Sequence, residues 1–90
     1  MPRMTDKIAD MLEFPCRYPL KVMGRNEAEF INLAMEIIQM HCPGDYSPTT
    51  STSRTGKYVS LTVHIHLKEP EQLERVYQQL SSHPKVKTIL

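Results

Sequence analysis

His64 and His66 stand two residues apart in a run that alternates apolar and polar side chains from Tyr58 to Leu67. In an extended chain, positions i and i+2 share a face, so the two imidazoles are near enough to hold one metal ion, and imidazole suits zinc or copper. A complete site needs further ligands, and no spacing brings His41, Cys16 or Cys42 to that face. Surface or interface histidines are the simpler reading. His41 beside Cys42 suggests a thiolate with its base, because a thiol nucleophile needs a neighbour that lowers its pKa or takes its proton. Adjacent helical residues, however, point about 100° apart. The structural alternative places His41 at a helix carboxyl end and packs Cys42 as a small apolar residue.

Pro43-Gly44-Asp45-Tyr46 forms a third group. Asp45 can accept from backbone donors of a turn, and Tyr46 joins an apolar ring to a polar tip, so ligand contact competes here with plain turn structure. Arg54, Gly56 and Lys57 could hold an anion. The phosphate-loop pattern is absent, since Ser51 stands where its first Gly belongs and Tyr58 where its Ser or Thr belongs.

The elements that position these residues follow from periodicity. Pro15 and Pro19 force extended backbone, and Tyr18, Leu20 and Val22 alternate with Lys21 until Gly24, which reads as a first strand. Asn26 with Glu29 three residues later is a capping signal. Phe30, Ala34, Ile37, Ile38 and His41, widened by Leu33, then form the stripe of a first helix. Pro43 and Gly44 stop it, Gly44 by a left-handed cap. Ser47 to Arg54 is Ser- and Thr-rich and reads as a polar edge strand, followed by a hairpin turn at Thr55-Gly56-Lys57.

The third strand buries Val59, Leu61, Val63, Ile65 and Leu67 and turns Tyr58, Ser60, Thr62, His64 and His66 to its other face. Such one-sided alternation belongs to an antiparallel sheet open on one side. Pro70 opens a second helix with the stripe Leu73, Val76, Tyr77 and Leu80 and an outer Glu71–Arg75 pair. His83 and Pro84 end it. Val86 to Leu90 makes a last strand whose inward face the alternation leaves unassigned.

The order is βαββαβ. Its unstrained solution is an α+β ferredoxin-like sandwich, a four-stranded antiparallel sheet with two helices on one face. Residues 1–15 read as a lead-in segment, in which Ile8, Met11 and Leu12 could make a helical turn or two, and residues 16–90 as one domain.

The chain of 90 residues has room for a single core. Apolar residues make up 40% and charged residues 23%, which is globular rather than disordered usage. The formal net charge of +1 gives no global field to recruit nucleic acid, anionic membrane or a strongly acidic partner, although local patches remain open. No apolar run approaches the roughly 20 residues of a membrane span, and the amino terminus has no signal-peptide apolar segment. A cytoplasmic location and free thiols at Cys16 and Cys42 are therefore expected.

Phe14-Pro15, Lys21-Val22-Met23-Gly24, His41 followed by Pro43-Gly44-Asp45-Tyr46, and Gly56 with Tyr58 entering the long strand together resemble the YbeD family of small bacterial proteins. The resemblance covers Met11 to Leu90. It implies a ferredoxin-like fold similar to the ACT-type regulatory domain of phosphoglycerate dehydrogenase, and a regulatory or adaptor role, with a link to lipoate metabolism because family genes often neighbour that for lipoate octanoyl transfer. Cys42 departs from the family pattern, which usually has Ala there, and this counts against essential thiol chemistry.

The expectation is a non-enzymatic domain, with no cofactor, that binds a protein partner or small metabolite through Lys21, Gly24, Asp45, Tyr46, Tyr58, His64 and His66, and that can homodimerise through sheet edges or helices, Ser47 to Arg54 being the candidate edge. A metal protein or enzyme built on His64 and His66 is the first alternative. An RNA-binding module is the second, though strand three offers Tyr58 and no further aromatic as a stacking platform.

Overall fold

A computed structural model describes residues 12–89. The elements are β1 (Cys16–Arg25), α1 (Ala28–His41), β2 (Thr49–Thr52), β3 (Tyr58–Leu67), α2 (Pro70–Ser81) and β4 (Val86–Ile89), and the sheet order is β2-β3-β1-β4 with every neighbouring pair antiparallel. This is the ferredoxin-like α+β sandwich, with both helices on one face. The helical turn expected around Ile8 and Met11 lies outside the described residues.

The core lies between sheet and helices. Leu20 and Val22 from β1, Val59 through Leu67 at alternate positions of β3, Phe30, Ala34 and Ile38 from α1, and Leu73, Val76 and Leu80 from α2 are all buried. Period two on the strands and 3.6 on the helices direct these side chains inward. Leu12 and Phe14, ahead of β1, also pack against this core, and the Phe14–Pro15 peptide bond is cis.

Several local expectations are corrected. Strand one runs through Gly24 rather than ending there, because the register with β4 shifts between Met23 and Gly24 and the chain continues to Arg25. Asn26 does not cap α1. The N-cap is Glu27, without a side-chain hydrogen bond, while Asn26 Nδ2 donates to the Gly56 carbonyl at 2.9 Å and ties the helix entrance to the β2–β3 turn. Gly44 takes no left-handed cap, since Gly56 (φ 74°) is the positive-φ glycine of the described chain. Gln39 holds Gly44 instead, donating to its carbonyl at 2.7 Å and accepting from its N–H at 3.0 Å.

The edge strand is shorter than expected, Thr49–Thr52 within Ser47 to Arg54. Glu71 and Arg75 form no ion pair among the described residues. Among the described residues, Lys85 pairs with Glu27 (2.9 Å) and Glu29 (3.1 Å) on the helical side.

The unassigned face of the last strand is settled by the bulge. Val86 pairs with Gly24 and Ile89 with Val22, so two apolar residues three apart both reach the helical side and pack against the core. Gln72 joins the helices: its Nε2 donates to the His41 carbonyl at 3.0 Å, and its Oε1 accepts the Glu69 N–H at 3.1 Å and the Lys68 N–H at 2.6 Å.

Candidate functional site

β1 and β3 are the two central strands, and their register decides which side chains share the outer face. Arg17 pairs with His66, Pro19 with His64, Lys21 with Thr62, Met23 with Ser60, and Arg25 with Tyr58. The opposite parity of both strands is core, so these pairs face away from the helices.

At one end of this face the chain leaving α1 passes beside β3. Tyr46 is half-buried and anchors it: its hydroxyl donates to the Cys42 carbonyl at 2.6 Å and accepts the backbone N–H of His66 at 3.2 Å. The Tyr46 and His66 rings meet edge-on, centroids 5.3 Å apart. A groove of about 230 Å³ opens here, lined by Arg17, Asp45, Tyr46, Ser47, His64 and His66. Four of the residues singled out from the sequence therefore converge, although Asp45 and His66 are 21 positions apart. Arg17 and Ser47 were missed. Arg17 could have been found from its parity with Lys21, four residues along the same strand.

Lys21 lies mid-face, away from the groove. Tyr58 lies at the far end, with the Lys87 ammonium 3.9 Å from its ring centroid and that of Lys57 at 5.9 Å. The Lys87 hydrogen bond and charge, then the charges of Lys57 and Arg25, hold the Tyr58 hydroxyl below the usual phenol range. Gly24 belongs to neither end. It is buried, and a Cβ there would meet the Lys85 carbonyl oxygen and the Phe30 ring at 2.6 Å, so its residue type is explained by close packing of strand and helix.

Among the described residues no three His, Cys, Asp or Glu side chains come together as a metal cluster. His64 and His66 supply two imidazoles and Asp45 one carboxylate to a shared groove, with the guanidinium of Arg17 among them. Cys42 is 1% exposed and burial pushes its thiol pKa up, which keeps it protonated and a poor nucleophile. His41 is half-buried, and its Nε2 is buried with no hydrogen-bond partner among the described residues. These surroundings suit packing at the helix end better than a thiolate and its base.

The acidic side chains are unevenly placed. Among the described outward residues of the four strands there is no Asp or Glu, while Arg17, Lys21, Arg25 and Lys87 are there. The helical layer carries Glu29, Glu36, Glu71 and Glu74, with Glu27 and Glu69 at the helix N-caps, alongside the cations Arg75 and Lys85. No helix among the described residues is long and apolar enough to cross a membrane.

A family model described as "Protein of unknown function (DUF493)" matches residues 9–90. A UPF0250 protein of Photorhabdus laumondii is 40% identical over 87 residues, covering 97% of this chain and 100% of the relative. UPF0250 proteins of Shewanella sediminis and Vibrio cholerae are 38% and 43% identical over 84 residues, covering 93% of this chain and 96% and 91% of theirs.

Proposed function

Since the chain belongs to the family described as protein of unknown function (DUF493), the UPF0250 or YbeD proteins of bacteria, we propose that it is a non-enzymatic regulatory or adaptor domain. Its working surface is the open face of the sheet, where it binds a protein partner or a small metabolite. The observation that supports this reading is the composition of that face. The two central strands turn Arg17, Lys21 and Arg25 outward beside Ser60, Thr62, His64 and His66, interrupted by Pro19 and Met23, and the Tyr46 loop adds a polar groove at one end. A sheet face backed by a packed core is preorganised for docking, so binding orders few groups that were mobile before.

Affinity capture from native extract tests it, comparing the wild-type chain with the Lys21→Glu, His64→Glu double variant and with Glu71→Lys on α2. All three sites are exposed, so the fold is expected to persist. Loss of the captured species with the double variant and its retention with Glu71→Lys is the expected pattern. Capture that survives the double variant removes the sheet face from the reading.

A further inference from the structure

Arg17, Lys21 and Arg25 recur every four residues on the outward face of β1, an inner strand of the sheet. At about 3.3 Å per residue they form a row with cations about 13 Å apart. That spacing exceeds the Debye length of about 8 Å at physiological salt, so the row costs little in self-repulsion and presents separate points of attachment. At one end Lys57 and Lys87 join Arg25 around Tyr58. At the other, Arg17 lines the groove with His64 and His66, and Asp45 adds the one carboxylate there. Among the described residues no carboxylate forms an ion pair with Arg17, Lys21 or Arg25, although Glu27 feels the Arg25 charge, whereas Lys85 on the helical side is bound to Glu27 and Glu29.

From this charge complementarity we infer that the sheet face docks an acidic surface of another protein, with Asp and Glu side chains set against the Arg17–Lys21–Arg25 row. The inference rests on the proposed function and names the chemistry of its partner. Single-stranded nucleic acid is the less suitable occupant. It is best served by large aromatic platforms for successive bases, and Tyr58 is the one Phe, Tyr or Trp among the described outward residues of β1 and β3. The net charge of +1 also supplies no domain-wide field to draw in a polyanion. A second copy of the chain offers the acidic helical layer, but sheet-on-helix contact between identical chains is heterologous. It propagates unless its rotation happens to close a ring, so it does not by itself give a finite complex.

The test titrates the isotope-labelled full chain, at low ionic strength, with a short peptide alternating Glu and Ser, with its Gln counterpart, and with a single-stranded oligouridylate of equal charge. Amide shifts at Arg17, Lys21 and Arg25 with the Glu peptide and none with the Gln peptide are expected. Binding should weaken with added salt, and Lys21→Glu should weaken it roughly tenfold while Glu71→Lys leaves it intact. Absence of binding to the Glu peptide, tighter binding to the oligouridylate, or shifts confined to the helices overturns the inference.

The capture experiment separates the two levels of the argument. A captured protein that depends on the sheet face but is held equally at high salt retains the proposed function and overturns the acidic partner. Capture indifferent to the face overturns both.

Discussion

The Tyr46 hydroxyl sits between two backbone groups, accepting the His66 N–H on β3 and donating to the Cys42 carbonyl at the end of α1. One side chain thus fixes the loop carrying Asp45 and Ser47 against the strand carrying His64 and His66. Tyr46→Phe keeps the ring and removes both bonds, leaving a backbone donor and acceptor to find other partners. We expect a loss of about 1–2 kcal/mol, read as a lower urea midpoint at unchanged slope, together with faster exchange of the His66 amide. An unchanged midpoint and unchanged exchange would show that the hydroxyl does not hold the groove together.

Gly24→Ala should destabilise the fold although alanine is the smallest possible addition. Its Cβ would lie 2.6 Å from the Lys85 carbonyl oxygen and from the Phe30 ring. The backbone oxygen cannot rotate away, so the strand or α1 has to move, at a cost of about 1–3 kcal/mol. Chemical denaturation measures it. Gly56→Ala tests a different cause at the β2–β3 turn: open space surrounds that position, and only its positive φ opposes a side chain.

Two tyrosines should titrate in opposite senses. Tyr58 loses its proton first, because Lys87, Lys57 and Arg25 favour the phenolate, and Tyr18 ionises above the usual phenol range because burial disfavours its charge. For Tyr58, whose folded pKa is lowered, the stabilising contribution grows as pH rises through the folded value and is complete above the unfolded one. For Tyr18, whose folded pKa is raised, stability is lost as pH rises above the unfolded value. Ring chemical shifts followed through alkaline pH check the order, and Lys87→Met should return Tyr58 toward ordinary behaviour. Simultaneous titration of the two rings would contradict the arrangement.

The thiols should differ in reactivity. Cys16 is half-buried at the start of β1, whereas Cys42 is enclosed by the core and its thiol is held protonated. An aromatic disulfide reagent should modify one thiol rapidly in the folded protein and the second only as the chain opens. Two fast thiols, or rapid modification of Cys42 identified by peptide mass, would exclude the enclosed site.

Most of the architecture was legible because period and position are local properties. β3 was readable at full length from strict alternation, and α2 from Pro70 and the Leu73, Val76, Leu80 stripe. Errors fell where one residue had two possible partners. Asn26 has the right type and place for a cap, yet its amide bonds Gly56 thirty residues away. Gly44 has the right place for a left-handed cap, yet the Gln39 side chain supplies both hydrogen bonds there.

The sequence by itself determined the elements, the inward side chains and the polar character of one sheet face, since these depend on alternation along a single strand or helix. The tertiary structure alone decided which outward residues meet. Arg17 faces His66 because β1 pairs antiparallel with β3, the Asp45–Ser47 loop reaches the same groove because Tyr46 bonds across to that strand, and Lys87 lies over Tyr58 although β1 runs between their strands. Alternation sets which face each strand buries, but strand order and the Met23–Gly24 bulge are long-range pairings that the pattern of a single strand does not encode.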